Sequence, residues 1–315
     1  MGVPATIEGS TSLTLAMTTA LETLSNAFSE IITQTSAAVV AVKGTRSAST
    51  GIHWRRGLIV TSCEALRPGD SFGLGLPNGQ TTVTELLGSD PSTDVAVLSL
   101  PEGADLPVAT IGDDQSLALG QLVATVGRSP RRGEFTSFGM VSQLGGPWQS
   151  QQGGQLNQYI EVNLGRLHPG SAGCPLINAK GEVVGFNTFG PRHRVLTIPA
   201  TTVNQVVQQF QQRGKIARGY LGLGMQTVPL PESAQQQHNV SNQTGVIVMS
   251  VAADSAADQA GVLLGDVIVA INDDPTVSVQ QVQTYLGPQS VGQALTFKVL
   301  RGDRLQELTV TVGER

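Results

Sequence analysis

At 315 residues the chain has room for two domains, and 40% apolar residues supply enough material for real cores. Aromatics at 4% and 37 glycines suit small β-domains with many tight turns. A net charge of −5 with scattered basic residues excludes a general drive toward nucleic acid, and two cysteines, Cys63 and Cys174, exclude a disulfide framework.

Residues 1–18 are rich in Thr, Ser and Ala and are expected to be poorly ordered. Met1 to Ala20 lack the basic start, compact apolar core and cleavage site of a signal peptide, and no stretch is long enough to span a membrane. From Leu21 to Ile32 the apolar residues Leu21, Leu24, Phe28, Ile31 and Ile32 recur at helical spacing. This predicts a short amphipathic helix leading into a first strand at Val39–Val42. Further short β-runs follow at Leu58–Thr61, Thr81–Leu87, Val95–Leu98, Leu122–Val126, Phe135–Leu144, Gln158–Val162, Val183–Asn187 and Leu196–Ile198. Glycine, proline and asparagine break them at regular intervals, which predicts an all-β sandwich or barrel. Arg131-Arg132 and Arg192-His193-Arg194 are short basic turns, expected as solvated loop tips.

Thr201 to Gly214 predicts a helix, with Val203, Val206, Val207 and Phe210 on one face and Gly214 at the C-cap. Beyond it, Gly245–Val251 predicts a strand and Ser255–Val262 a short helix. Gly265–Asn272 predicts a turn and strand, Val279–Leu286 a second helix, and 295–301 with 307–312 a closing hairpin. The stretch from Val228 to Thr244 is polar and is expected to be a flexible insertion.

Three motifs carry the chemistry. Leu167-His168-Pro169-Gly170-Ser171-Ala172-Gly173-Cys174-Pro175-Leu176 resembles the nucleophile turn of the HtrA (DegP/DegS-like) branch of trypsin-fold serine proteases. Gly57-Leu58-Ile59-Val60-Thr61-Ser62-Cys63-Glu64-Ala65-Leu66 is similar to that family's strand and turn bearing the general base. Asp90-Pro91-Ser92-Thr93-Asp94-Val95-Ala96-Val97-Leu98 matches its third element. The resemblance covers nearly all of residues 25–315 and implies a double six-stranded β-barrel of the trypsin type followed by a C-terminal PDZ domain. The implied boundaries are 1–18 disordered, 19–214 protease-like with its N-terminal helix, and 215–315 PDZ. The N-terminal helix would serve homotrimer contacts, or more plainly pack on its own domain.

On the same resemblance Ala172 stands where the attacking serine belongs, Glu64 where the base belongs, and Asp94 is the surviving orienting carboxylate. A methyl group cannot be deprotonated or form a covalent intermediate, and nucleophile and base act as a unit. The backbone N–H groups of Gly170 and Ala172 would still form the oxyanion hole. Ser171 adjoins the lost serine, but on a tight turn a one-residue shift aims its hydroxyl elsewhere. His168 is read as a plain substitution of the family's asparagine. Glu64 and Asp94 form either a proton-sharing pair or, more plainly, a Glu64 turned to solvent. Cys63 and Cys174 are expected as small space-filling side chains, with a disulfide or a Cys-Cys-Glu metal site as lesser alternatives. Val195 and Leu196 are expected to narrow the specificity slot.

In the PDZ half, Tyr220-Leu221-Gly222-Leu223 lies where the family's carboxylate-binding loop would be, and the strand after it would receive an extended peptide. Leu221, Leu223 and Met225 would form one wall, and Val282 and Leu286 the other; the plainer reading makes all five core residues. The resulting expectation is a bacterial HtrA-like pseudoprotease without cofactor or metal. It would bind peptides or protein C-termini as an adaptor, a scaffold or the regulatory subunit of an active relative in protein quality control. The alternatives are an active serine-type endopeptidase using non-standard residues, and an ATP-independent holdase chaperone. As the sequence stands the expected place is the cytoplasm, or an extracytoplasmic compartment if an export segment was removed.

Overall fold

The computed structural model describes residues 9–44, 47–66, 71–150, 152–165, 170–190, 194–214, 219–287 and 290–314. Two compact units emerge. One gathers Met1–Leu87, Ala96–Gly146 and Gln158–Val203; the other gathers Gly88–Val95, Pro147–Asn157 and Asn204–Arg315.

The first unit opens with helix α1 (Gly9–Ser36), which starts at Gly9 rather than Leu21. The helix thus extends back into the segment expected to be poorly ordered. After Gly9 the segment holds only Ser, Thr, Leu, Ala and Met, so nothing breaks a helix growing backward from its seated end. That end is seated by Phe28, Ile31 and Ile32, which pack on buried Val39, Ala124, Val126 and Ile177. Leu21 and Leu24 remain 65% and 47% exposed. The amphipathic stripe thus divides into a half that anchors the helix and a half that faces solvent.

Strands β1 (Val39–Lys43), β2 (Ala48–Arg55), β3 (Leu58–Ser62), β4 (Phe72–Gly75), β5 (Thr81–Thr84), β6 (Leu86–Asp90) and β7 (Val95–Ser99) form a seven-stranded sheet in the order β5-β4-β1-β2-β3-β7-β6. The run expected at Thr81–Leu87 is two strands, separated at Glu85, whose N–H bonds Ser99 Oγ at 3.0 Å. Strand β2 has no counterpart among the expected runs. Its small and polar residues Ser49, Thr50 and Gly51 are buried, so its pattern carries no alternation.

Next come β8 (Leu122–Ser129), β9 (Gly133–Gly145), the short pair β10 (Trp148–Gln149) and β11 (Gln155–Leu156), then β12 (Tyr159–Leu164), β13 (Pro175–Ile177), β14 (Val183–Phe189) and β15 (Val195–Pro199). Six of these close into a barrel in the order β12-β15-β14-β13-β8-β9 around Val123, Val141, Ile160, Val162, Leu176 and Val184. Closure leaves no unpaired edge. Helix α2 (Ala200–Arg213) ends where expected: Gly214 takes φ +68° and donates to Phe210 C=O at 2.8 Å.

In the second unit β16 (Gly219–Tyr220) pairs with β23 (Gly313–Glu314). The main sheet runs β17 (Leu223–Pro229), β18 (Thr244–Val251), β19 (Val267–Ile271), β21 (Ala294–Arg301), β22 (Arg304–Thr311), with β20 (Asp274–Pro275) beside β19. Strand β17 closes one end of this order, so among the described residues its outer edge pairs with no strand. Helices α4 (Ala256–Gln259) and α5 (Val279–Thr284) complete the layer. The insertion expected to be flexible holds helix α3 (Glu232–His238), capped by Asn239 in the left-handed region. Leu230, Ala234 and Val240 pack with Val269 and Leu300, and Asn242 donates to Val269 C=O at 2.7 Å. These few apolar residues anchor a segment whose glutamines had suggested mobility.

Candidate functional site

The turn Gly170–Cys174 is held from both sides. Gly170 and Gly173 have φ +92° and +82°. Thr50, on β2, donates from its N–H to Ala172 C=O and from its hydroxyl to Gly170 C=O, both at 3.0 Å. Gly173 N–H donates to Asn187 C=O at 2.9 Å, and Cys174 C=O accepts from Asn187 N–H at 2.8 Å. A Cβ on Gly173 would stand 2.2 Å from Thr50 O, 2.7 Å from Thr61 Oγ1 and 3.1 Å from Ser62 N. Only glycine allows the turn to approach β2 and β3 this closely.

Ala172 is half-buried, while Ser171 beside it is fully buried, so the neighbouring hydroxyl is not presented at the surface of the turn. Among the described residues no acceptor takes the N–H of Gly170 or Ala172. At the middle of the turn Ala172 presents a methyl group, between the buried Ser171 and the backbone of Gly173.

Glu64 sits on a single 3-10 turn, Cys63–Ala65, directly after β3. That places it two residues beyond Ser62, whose N–H lines the Gly173 contact. Its side chain is exposed. Asp94 belongs to the second unit, on the turn between β6 and β7, half-buried with φ +61°. That turn is organised by Asp90, whose carboxylate accepts from Ser92 N–H at 3.0 Å and from the hydroxyls of Ser92 and Thr93 at 2.5 and 2.8 Å.

Neither cysteine is in a disulfide. Cys174 is fully buried, and a Cβ on Gly127 would lie 2.6 Å from its Sγ, so the thiol fills its pocket. Burial pushes that thiol up to about 12, against hydrogen bonding to Thr50 and Thr125 that pulls it down. Among the described residues no three His, Cys, Asp or Glu side chains come together as metal ligands, so the Cys-Cys-Glu reading has no support. Leu196 is buried against Gly190, and Val195 packs on the barrel core. Arg194 Nη1 bonds Glu161 at 3.2 Å, which the sequence did not suggest. Arg131 and Arg132 are exposed as expected, whereas His168, Arg192 and His193 lie outside the described residues.

In the second unit the loop Tyr220-Leu221-Gly222-Leu223 joins β16 to β17. Gly222 has φ +80°, and a Cβ there would lie 2.1 Å from Ser255 Cβ and 2.4 Å from Ser255 Oγ. Leu221 C=O accepts from Ala257 N–H at 3.0 Å and Gly222 C=O from Ala252 N–H at 2.8 Å, while Gly222 N–H has no acceptor among the described residues. Leu221 and Val282 are 1% and 0% exposed, so both belong to the core and not to a groove wall. Leu223, Met225 and Leu286 are partly buried against that core. Alternation from Leu221 into β17 and the four-residue step from Val282 to Leu286, just past the end of α5, identify candidates for a wall, but only the packing separates those turned inward.

The comparisons agree with this architecture. A trypsin-like peptidase domain model matches residues 49–186, and a PDZ domain model matches residues 219–312. The putative serine protease HhoA of Synechocystis is 28% identical over 270 residues, covering 82% of this chain and 68% of that protein. A probable periplasmic serine endoprotease DegP-like from Pseudomonas savastanoi is 30% identical over 263 residues, covering 82% and 53%. The chain spans about half the length of the DegP-like relatives it matches. Among solved structures, HtrA-type protease AlgW with a tripeptide superposes with a TM-score of 0.65 at 26% identity, covering 91% of this chain and 97% of that one. A serine endoprotease from Yersinia pestis gives 0.68 at 23%, covering 91% and 98%. A trypsin-like barrel domain followed by one PDZ domain, in that order, places this chain in the HtrA family.

Proposed function

We propose that this chain is a proteolytically silent HtrA-type protein that binds peptides or protein C-termini through its PDZ domain, as an adaptor, scaffold or regulatory subunit. The boundaries that go with this reading are 19–214 for the protease-like part and 215–315 for the PDZ part. The observation that carries it is Ala172. It occupies a turn whose supports and free backbone donors are intact, yet it offers a methyl group where acyl transfer needs a nucleophile. Glu64 supports the same view, since a carboxylate stands where the family resemblance calls for the general base.

Peptide binding is supported by the edge of β17 and the Gly222 N–H, both without a partner among the described residues, and by the partly buried Leu223, Met225 and Leu286. Solved AlgW structures hold a decapeptide and a tripeptide, the ligand class expected here. Exposed Leu21 and Leu24 further support self-association through α1. Sedimentation equilibrium of the full chain and of Leu21→Asp/Leu24→Asp checks this, the variant being expected as a monomer.

Two measurements on the purified full chain test the main reading. Casein and peptide esters should remain intact, and a fluorophosphonate probe should not label the protein. A peptide ending in Val with a free carboxylate should bind much more tightly than its amide in calorimetric titration. Hydrolysis that survives repurification and disappears in Glu64→Gln would overturn the silent reading. Equal affinity for acid and amide would overturn C-terminal capture.

A further inference from the structure

We infer that Arg128 joins the seating of α1 and the shape of the turn Gly170–Cys174 into one cooperative unit, so that whatever draws the helix from its seat loosens the turn. All the residues concerned lie in the first unit. Helix α1 ends at Ser36 with no basic residue in its last turn, so its own sequence brings no cation to the last carbonyls and the negative end of the dipole. Arg128, near the end of β8, supplies one from across the chain. Its Nη2 donates to Ser36 C=O at 3.4 Å and to Glu134 Oε2 at 2.9 Å, and its Nε donates to Val39 C=O at 3.1 Å. The planar fork serves these acceptors together, and the side chain is only 14% exposed.

The backbone of the same arginine faces the turn. Arg128 N–H donates to Thr50 Oγ1 at 3.2 Å, and that hydroxyl donates onward to Gly170 C=O at 3.0 Å. Arg128 C=O lies farther from the hydroxyl, at 3.4 Å, so the single proton goes to Gly170. Three hydrogen bonds thus link Ser36 C=O to Gly170 C=O through Arg128 and the buried Thr50. A hydroxyl that accepts one bond and donates another has its rotation fixed and its bonds mutually strengthened, which makes the second depend on the first.

Packing follows the same route. Phe28, Ile31 and Ile32 of α1 seat on Ala124 and Val126 of β8 and on Ile177 of β13. Val126 stands two residues before Arg128, and β13 begins at Pro175, directly after the turn. Gly127 fits so closely that a Cβ there would stand 2.6 Å from Cys174 Sγ. Interiors packed this tightly pass a displacement on instead of absorbing it. Unseating α1 takes Ser36 C=O from a largely buried cation, which regains an acceptor only by turning out with Glu134 toward solvent. That movement draws on the strand end whose N–H fixes Thr50. Leu21 and Leu24, exposed on the same helix, are the handle by which a bound molecule acts on it.

The test is amide hydrogen exchange of the full chain, read by mass spectrometry at Gly173 and Cys174, whose N–H groups donate to Asn187 C=O and Ser171 C=O. Strand β12 of the same barrel is the reference. Ile31→Ala loosens the seat, Arg128→Gln removes the cation, and Thr50→Val keeps the side-chain shape and removes the hydroxyl. Ile31→Ala and Arg128→Gln should each speed exchange of the turn about tenfold and leave β12 unchanged. In Thr50→Val the turn should already exchange fast, and adding Ile31→Ala should change it by no more than about twofold. If Arg128→Gln does not fold, Arg128→Lys, which keeps the charge and loses the fork, should give about threefold. A turn unchanged in the Arg128 variants, or β12 accelerated as much as the turn, would overturn the coupling. So would an Ile31→Ala effect as large in the Thr50→Val background as in the parent.

Discussion

Gly222→Ala tests whether the loop before β17 is as closely fitted as its geometry states. At φ +80° an L side chain is strained, and replacing glycine there by alanine costs about 1 kcal/mol. The new Cβ would also stand 2.1 Å from Ser255 Cβ and 2.4 Å from its Oγ, so one element must shift. Overpacking of this kind costs about 1–3 kcal/mol, and the sum is about 2–4 kcal/mol. Ser255 has little freedom to yield, because its hydroxyl caps α4 by accepting from Asp258 N–H at 3.3 Å. Urea titration of the full chain by circular dichroism should show the PDZ transition moved to lower denaturant by that amount. Glycine is an acceptable N-cap, losing only a few tenths of a kcal/mol. Gly222→Ala/Ser255→Gly should therefore recover the packing part and retain about 1 kcal/mol of backbone strain. The two changes should couple, as residues in contact do. A Gly222→Ala midpoint equal to the parent's, or a double variant with strictly additive effects, would refute the reasoning.

Two further outcomes follow from the first unit. Ala172→Ser alone should remain at background activity on casein, because its hydroxyl lacks a base, whereas Ala172→Ser/Glu64→His should gain measurable turnover; substantial activity in the single variant would place the base elsewhere. Cys174, buried with its thiol pushed up to about 12, should resist iodoacetamide in the folded chain at pH 8, and half-buried Cys63 should be alkylated first, as read by peptide mass spectrometry. Its linkage has a definite sign: between pH 9.0, where the unfolded thiol loses its proton, and about 12, the folded chain alone stays protonated, so stability falls as pH rises through that window.

Local order was legible from the amino-acid sequence wherever a pattern repeats along the chain. Apolar periodicity gave α2 within a residue at each end, and Gly214 marked its end because only an unbranched backbone takes φ +68° cheaply. Turn residues separated most strands of the barrel, and the motifs around Glu64, Asp94 and Ala172 carried the family resemblance from which the proposal of a missing nucleophile and base is drawn. Strand β2 escaped because its burial comes from neighbours on both faces, which removes the alternation that marks a half-buried strand. Helix α3 escaped because three apolar residues among glutamines anchor it only once Val269 and Leu300 are beside them. Which residues could line the proposed groove was decided later still. Leu221 and Val282 fit a groove wall by spacing as well as Leu223 and Leu286 do, and packing alone sent the first two into the core. Thr227 and Val279 meet across 52 residues, and Gly222 and Ser255 across 33. Such pairs depend on how strands and helices close on one another in space, and periodicity within one segment holds no record of the surface it will meet.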